Sequence, residues 1–329
     1  MIFTILKICI GIGCLVALFH YNFIDFQLLG KASSSLVTVA IAFSCLLFTV
    51  FIGALRWQIL MGSLQVQITF IRSLNYTFIG QFFNVFLPGA YGGDFIRGGL
   101  VYRQHRDKLG EIMMSSLVDR LTGLVGLLII AFAVLALIPN QFQFWIGIIV
   151  VSCLAIGFAA PVFVVRFQSL FRAIIRVFPN AVAKILLRIF DTVVECFEGY
   201  NHRKRDLIVA ISLSVFQYIL VLEALYLLGG AMEITSLSWI GYIVSGVAGL
   251  FANAIPLSPG GLGIGEAAFG QVAHLLEPVP TETAYSSIFL LMRTLTLLTA
   301  VFGLIPFLFY RDAINATRMQ NEPLQKNEG

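Results

Sequence analysis

Charged side chains interrupt the long apolar stretches of this sequence at a few positions. Asp119 and Arg120 lie together inside one such stretch, and Arg293 lies at nearly the same depth inside another. A charge within a bilayer is costly unless it is paired or hydrated. A guanidinium group keeps its proton and can hold a phosphate through two hydrogen bonds. The matched arginines therefore predict an anion-binding role, whereas for Asp119 a structural ion pair is an equally good interpretation.

Two stretches, one in each half of the chain, combine helix breakers with polar side chains. The first reads Asn84-Val-Phe-Leu-Pro88-Gly89-Ala-Tyr-Gly92-Gly93-Asp94-Phe-Ile-Arg97, and the second reads Asn253-Ala-Ile-Pro-Leu-Ser-Pro259-Gly260-Gly261-Leu-Gly-Ile-Gly-Glu266. Proline lacks a backbone donor and glycine adds backbone freedom, so each stretch is predicted to break a helix. A helix that restarts after such a break presents N–H groups and a positive dipole end that suit phosphate or carboxylate.

These stretches and the buried charges together make up the predicted substrate site. Asp94 and Glu266 are expected to cap the restarting helices when no ligand is bound, or to pair with nearby arginines. Arg120 or Arg293 is expected at the centre of the site, with Arg97 nearer the surface. For a single glycine, close helix packing is the simpler interpretation. The predicted substrate-binding residues are Asn84, Pro88, Gly89, Gly92, Gly93, Asp94, Arg97, Asp119, Arg120, Asn253, Pro259, Gly260, Gly261, Glu266 and Arg293.

Signatures of catalysis and of metal or cofactor binding are missing from the sequence. The four histidines are scattered without ligand spacing, and the five cysteines form no C-x-x-C pair. The sequence contains no P-loop, nucleophile elbow or H-E-x-x-H motif. We therefore expect no catalytic residue, no metal and no cofactor, and we expect a protein that is not an enzyme and binds no nucleic acid.

The composition excludes an ordinary soluble protein. Hydrophobic residues make up 59% of the 329 residues and charged residues only 12%, whereas a soluble domain carries roughly 25% charged residues. Several apolar runs exceed the roughly 18 residues that a membrane helix needs. The sequence therefore predicts an all-α, polytopic protein of the cell inner (cytoplasmic) membrane.

Hydropathy predicts eight membrane segments in two groups of four. Residues 1–138 form the first repeat, residues 139–310 the second, and residues 311–329 a cytoplasmic tail. The third segment of each group contains the helix breakers. The predicted segments are 2–23, 35–56, 72–99 and 110–138, then 142–165, 207–228, 239–276 and 284–310.

The distribution of Lys and Arg predicts the orientation. If the N-terminus is cytoplasmic and each broken segment enters and leaves on one side, all of these residues except Lys31, Arg120 and Arg293 fall on one face. This count assigns Arg56 to that face. The positive-inside rule makes the face cytoplasmic and puts both termini there. Full crossings would place basic residues outside, so the broken segments are predicted to be re-entrant. The outcome is a pair of inverted four-segment repeats, a pattern typical of transporters.

The connection between the repeats is also patterned. In the cytoplasmic loop 166–206, apolar residues recur at three- and four-residue spacing from Val182 to Phe197, with charged residues between them. This spacing predicts an amphipathic helix, which we expect on the inner membrane surface, anchored against anionic headgroups.

One known family shows the same combination of motifs. They are Ile79-Gly-Gln-Phe-Phe-Asn84 with the Pro88 to Arg97 stretch, the Asp119-Arg120 pair, and Ser258-Pro-Gly-Gly-Leu-Gly-Ile-Gly-Glu266. Over nearly its whole length the chain resembles the lysylphosphatidylglycerol synthase transmembrane-region, or flippase-like, family. The resemblance implies translocation of lipid between leaflets. The best-known members also carry a cytosolic aminoacyl-transferase domain, which we expect to be absent here, so aminoacyl transfer is not implied.

The function that these observations predict is translocation of an anionic or phosphate-bearing lipid. The resemblance leaves the lipid open between a membrane phospholipid and a polyprenyl-phosphate lipid, because stand-alone relatives are linked with several lipid classes. Two alternatives stay open. One is a non-transporting membrane partner of a glycosyltransferase or lipid-modifying enzyme, and the other is a secondary transporter of a small anionic solute. A homodimer is compatible with each of them.

Overall fold

The computed structural model describes His20 and residues 30–86, 92–134, 165–176, 180–254, 262–276 and 284–310, and most of these residues are helical. No strand occurs among these residues, so the all-α prediction is confirmed for them. Within these ranges, a short 3-10 helix, Ala32–Ser35, is followed by ten α-helices. The helices are α1 (Leu36–Ser63), α2 (Phe70–Phe86), α3 (Gly92–Tyr102), α4 (Leu109–Val134), α5 (Gln168–Ile175), α6 (Asn180–His202), α7 (Lys204–Ala231), α8 (Trp239–Ala254), α9 (Ile264–Leu276) and α10 (Ser286–Val301).

Four of these helices are long and apolar enough to cross a membrane. They are α1, α4, α7 and the stretch Ser286–Tyr310, which begins with α10. They match the predicted segments 35–56, 110–138, 207–228 and 284–310. The predicted end of the first of these is wrong, because α1 continues past Arg56 to Ser63. Except for His20 and residue 165, the predicted segments 2–23 and 142–165 and the tail 311–329 lie outside the described residues.

Each predicted broken segment forms two helices, α2 with α3 and α8 with α9. In each pair the two helices pack directly against each other. The approach is closest at glycines: a Cβ atom on Gly93 would lie 1.8 Å from the carbonyl oxygen of Gly80, and one on Gly249 would lie 3.1 Å from that of Gly265. The predicted breaks are therefore confirmed, since α2 and α3 lie on either side of the connection 87–91, and α8 and α9 on either side of the connection 255–261. Those connections, with Pro88, Gly89, Pro259, Gly260 and Gly261, lie outside the described residues.

The helices α1–α4 (the first helical group) and α7–α10 (the second helical group) pack in the same pattern. Within each group, successive helices contact each other and the first contacts the fourth. Between the groups, α1 packs against α7. The fourth helix of each group contacts the first helix of the other, so that α4 contacts α7 and α10 contacts α1. It also contacts the second helix of the other group, so that α4 contacts α8 and α10 contacts α2. Each helix thus has a counterpart with equivalent neighbours in the other group.

The counterparts α1 and α7 run in opposite directions. At one end of the bundle, Lys31 before α1 forms an ion pair with Glu233 after α7, with 3.2 Å between Nζ and Oε2. At the other end, the Ser63 hydroxyl at the end of α1 donates to Asp206 in the first turn of α7, over 2.9 Å. The two helices at the centre of the fold are therefore antiparallel.

The predicted amphipathic helix of the connection is present as α6. Its apolar side packs on α4 and α7. Cys196 and Tyr200 are buried there, and the Tyr200 hydroxyl donates to the carbonyl oxygen of Leu60 over 3.0 Å. This helix therefore joins the bundle through its apolar residues, and its place on the membrane surface stays a prediction.

Candidate functional site

Asp119 on α4 is held between two arginines. One carboxylate oxygen accepts from Arg56 Nε over 2.7 Å, and the other accepts from Arg97 Nη2 over 3.1 Å. All three residues, which we call the Asp119 network, are buried. A buried carboxylate needs such partners, because an unpaired charge away from water is strongly unfavourable. The structural interpretation of Asp119 is therefore the one that its geometry favours.

Arg56 extends this network to the second helical group. Its Nη1 donates to the Ser214 hydroxyl over 2.8 Å and to Gln217 Oε1 over 3.0 Å, and both acceptors lie on α7. The prediction that placed Arg56 on the cytoplasmic face is wrong, because this residue is buried and joins α1, α4 and α7. The signal that could have found it is the apolar run that resumes with Trp57 directly after it.

Arg97 is also deeper than predicted. Its side chain is buried, and the guanidinium carbon lies 4.5 Å from the centre of the Trp57 ring. The expectation that Arg97 lies nearer the surface than Arg120 is wrong, since Arg120 is the more exposed of the two. The close approach of α3 to α2 at Gly80 and Gly93 brings Arg97 inward.

Asp94 in the first turn of α3 pairs with two arginines. It accepts from Arg120 Nε over 2.6 Å, and its other oxygen lies 3.0 Å from Arg97 Nε. The N-terminus of α3, which begins at Gly92, is capped by a different residue: Asn84 Oδ1 accepts from the backbone N–H of Gly93 over 2.8 Å. Of the two predicted roles of Asp94, the structure therefore shows the ion pair.

A cavity of about 160 Å³ lies among these side chains. We call Arg56, Arg97, Arg120, Asp94 and Asp119 the first charge cluster. It contributes three positive and two negative charges to the wall, so the wall is net positive. The Arg120 side chain keeps 37% of its surface exposed, whereas the other four are more buried. The lining residues are Thr49, Gly53, Arg56, Thr77, Gly80, Gln81, Asn84, Asp94, Arg97, Asp119, Arg120 and Gln217.

A second charge cluster, formed by Asn253, Glu266 and Arg293, lies in the second helical group. Arg293 Nε donates to Glu266 Oε1, and Arg293 Nη2 donates to Asn253 Oδ1 over 2.9 Å. Glu266 is fully buried, and its Oε2 also accepts from the backbone N–H of Gly263 over 2.9 Å. Gly263 has a φ of 80°, a conformation that favours glycine. Glu266 therefore both caps its helix and pairs with Arg293, two roles that the sequence offered as alternatives.

The two clusters share an arrangement of residues. In each, a glycine precedes an asparagine by four positions, as Gly80 precedes Asn84 and Gly249 precedes Asn253. In each, an acidic residue comes directly after the glycine at which the second helix of the hairpin contacts the first. Asp94 follows Gly93 and pairs with Arg120, and Glu266 follows Gly265 and pairs with Arg293. The predicted correspondence between Arg120 and Arg293 thus extends to their partners.

The clusters differ in the residues that surround the shared arrangement. Arg97 lies three positions after Asp94, and Asp119 lies directly before Arg120. The same positions relative to Glu266 and Arg293 hold Phe269 and Met292, both buried. The first charge cluster therefore has extra ionic groups and a net positive charge, whereas the second pairs one acid with one arginine.

Long apolar helices with ionic clusters between them define a polytopic helical membrane protein. The family model for the lysylphosphatidylglycerol synthase transmembrane region matches residues 4–303. The chain therefore belongs to this membrane-associated, lipid-related family, and the resemblance inferred from the motifs is confirmed. No curated protein matches the chain, and no solved structure matches it.

Proposed function

We propose that this protein moves an anionic, phosphate-bearing lipid between the leaflets of the cytoplasmic membrane and is not an enzyme. The observation that carries the proposal is the cavity beside Arg120, whose wall holds three guanidinium groups and two carboxylates among apolar helices. A net positive wall in a medium of low dielectric constant attracts an anion much more strongly than it would in water. The lipid headgroup is the anion that a protein of this lipid-related family meets in the bilayer.

The arginines of the first charge cluster have different roles in this proposal. Arg56 and Arg97 are fixed by Asp119, so they supply positive charge in a preformed position. Arg120 is more exposed and is bound to Asp94. An arriving phosphate replaces Asp94 as the partner of Arg120, because both anions accept two parallel hydrogen bonds from a guanidinium group. Asp94 holds Arg120 in place between transport cycles.

The two helical groups form an inverted repeat in this proposal, with residues 1–138 in one repeat and 139–310 in the other. Support comes from the equivalent packing of α1–α4 and α7–α10 and from the antiparallel course of α1 and α7. Exchange between two such arrangements exposes a central site to each side in turn. The hairpins α2–α3 and α8–α9 are re-entrant; the first contributes Asp94 and Arg97 to the first charge cluster, and the second contributes Asn253 and Glu266 to the second.

The orientation is the one that the basic residues favour. Lys31 lies at one end of α1, whereas Lys108 and Arg203 line an open cleft at the other end, beside Gln65 and Asp206. Moving Arg56 and Arg97 from the surface to the interior leaves this asymmetry in place. The end with Lys108 and Arg203 therefore faces the cytoplasm, and so do both termini.

A translocation assay with a matched control tests the proposal. Wild-type protein in proteoliposomes is expected to accelerate the passage of a fluorescent anionic phospholipid, and Arg120→Gln is expected to reduce the rate at least tenfold. Arg172→Gln is the control, because Arg172 has the same 37% exposure and pairs with Asp191 over 2.9 Å away from the cavity. Equal rates for wild type and Arg120→Gln would refute the proposed role of the cavity.

A further inference from the structure

The last long membrane helix is interrupted near its end. Within the span Ser286–Tyr310, Phe302 and Gly303 form a turn that has helix on both sides. Pro306 explains the interruption, because it has no N–H to donate to the Phe302 carbonyl oxygen and its ring crowds that group. The Phe302 oxygen instead accepts from the N–H of Ile305 over 3.3 Å, a bond that spans three residues and not four. Bonds of this kind are weaker than those of an α-helix, so the span can bend at this turn.

The two sides of the turn are attached to different hairpins. Before the turn, the centre of the Phe289 ring lies 5.7 Å from that of Phe269 on α9. After the turn, in the helical residues 304–310, the Phe307 ring lies 5.0 Å from the Phe83 ring on α2. The span therefore connects the hairpin α8–α9 with the hairpin α2–α3, and the turn lies between the two points of attachment.

The contact with α2 is close and reaches the wall of the cavity. The Tyr310 ring lies 5.2 Å from the Tyr76 ring, and a Cβ atom on Gly303 would collide with the carbonyl oxygen of Phe78. A neighbouring side of the same helix faces the cavity, which it lines with Thr77, Gly80, Gln81 and Asn84. A movement of residues 304–310 is therefore passed through α2 to the cavity.

The corresponding helix of the first helical group has no such interruption. Ala133 occupies the position of Pro306, since each lies thirteen residues after its matched arginine, Arg120 or Arg293. Ala133 lies inside α4, which is continuous from Leu109 to Val134. Proline in the interior of a helix is strongly unfavourable compared with alanine. The shared packing pattern does not require the interruption, so it has a role that belongs to the second helical group alone.

Resting on the proposed function, we propose that the turn at Phe302 and Gly303 is a hinge for transport and that Pro306 is the positioning residue that creates it. As the two helical groups exchange arrangements, the span before the hinge moves with α8–α9, and residues 304–310 move with α2–α3. A continuous helix would resist this movement, because its backbone hydrogen bonds would have to open. A hinge confines the change to a few residues.

The test compares two substitutions that both restore the missing N–H. Pro306→Ala favours a continuous helix and copies Ala133, whereas Pro306→Gly keeps the chain flexible. In proteoliposomes, translocation of a fluorescent anionic phospholipid is expected to be at least about fivefold slower in Pro306→Ala than in Pro306→Gly, the factor by which alanine favours a helix over glycine. Pro306→Gly is expected to keep the wild-type rate. A role of the proline ring in packing alone would affect both variants equally.

A distance measurement follows the hinge without transport. In a protein without the native cysteines, spin labels are attached at Ile71→Cys and Ile208→Cys, two exposed positions near the starts of α2 and α7. The distances between the labels are expected to be broadly distributed in this protein, because both arrangements of the groups are populated. Pro306→Ala is expected to narrow the distribution, and Pro306→Gly is expected to leave it broad.

The outcomes separate the hinge from the proposed function. Equal translocation rates in Pro306→Ala and Pro306→Gly would overturn the hinge, while a slow Arg120→Gln would leave lipid translocation in place. If Arg120→Gln is as fast as wild type but Pro306→Ala still narrows the distance distribution, the proposed function fails and the hinge stands. Identical distance distributions in all three proteins would overturn the hinge.

Discussion

Substitution of Asp119 is expected to be among the most damaging single changes in the described helices. In Asp119→Asn, two buried guanidinium groups lose the charge that each of them contacts at 2.7 Å and 3.1 Å. Removing one partner of a buried ion pair costs about 3–5 kcal/mol, because the other charge is left uncompensated. We therefore expect the free energy of unfolding to fall by at least about 3 kcal/mol. Arg120→Gln breaks a more exposed pair and is expected to cost less than about 1 kcal/mol.

A combined variant distinguishes loss of charge balance from loss of packing. In Arg56→Leu/Arg97→Phe/Asp119→Met, the whole Asp119 network becomes apolar. The second helical group already holds Phe269 and Met292 at the positions that correspond to Arg97 and Asp119. Replacing a complete buried ionic network with apolar side chains is often neutral. The combined variant is therefore expected to recover most of the stability that Asp119→Asn loses, and to have no lipid translocation because the positive wall is gone.

The measurement is unfolding in mixed micelles by titration with sodium dodecyl sulfate, followed by far-ultraviolet circular dichroism. Wild type, Asp119→Asn, Arg120→Gln and the combined variant are compared under one set of conditions. A loss of less than about 1 kcal/mol in Asp119→Asn, the size expected for a surface pair, would show that the network is not buried as described. A combined variant as unstable as Asp119→Asn would refute the charge-balance argument.

Three further predictions test the packing around this site. Gly93→Ala is expected to abolish folding or transport, because its Cβ atom would lie 1.8 Å from the Gly80 carbonyl oxygen. Gly99→Ala is the control, because a Cβ atom there has open space around it. This control is expected to leave expression and transport unchanged in the same assays. Burial, with smaller contributions from Glu111 and Glu195, raises the pKa of Cys196 to about 12. At pH 8 only about one such thiol in ten thousand is ionised. In a variant with Cys196 as its sole cysteine, maleimide is therefore expected to label the thiol only after denaturation. Rapid labelling of the folded protein would contradict this burial. In a variant without the native cysteines, a bis-maleimide cross-linker is expected to join Lys31→Cys/Glu233→Cys and Ser63→Cys/Asp206→Cys, because the native side chains of each pair meet at their ends. It is not expected to join Lys31→Cys/Asp206→Cys. The cross-link is seen as a shift on a denaturing gel, and a shift in the third variant would refute the antiparallel course of α1 and α7.

The amino-acid sequence by itself determined the class of the protein and the positions of its main helices. The length of the apolar runs predicts α1, α4, α7 and the stretch Ser286–Tyr310. Each run is predicted separately, because the free-energy cost of exposing apolar side chains to water, or unpaired backbone groups to lipid, applies to each segment by itself. Proline and glycine predict the breaks after α2 and α8 for an equally local reason. The correspondence of Asp94 and Arg120 with Glu266 and Arg293 is likewise visible as a repeated pattern.

The tertiary structure alone decided which charges meet. Arg56 looks like the end of a membrane segment, and Arg97 looks like a residue near the surface. Both are buried, because Asp119 on another helix supplies the negative charge that makes their burial tolerable. Ser214 and Gln217 carry no distinguishing signal in the sequence, and they reach the site only through the packing of α7. Whether a charge can be buried depends on partners that are distant along the chain, and the spacing of residues within one segment does not contain that information.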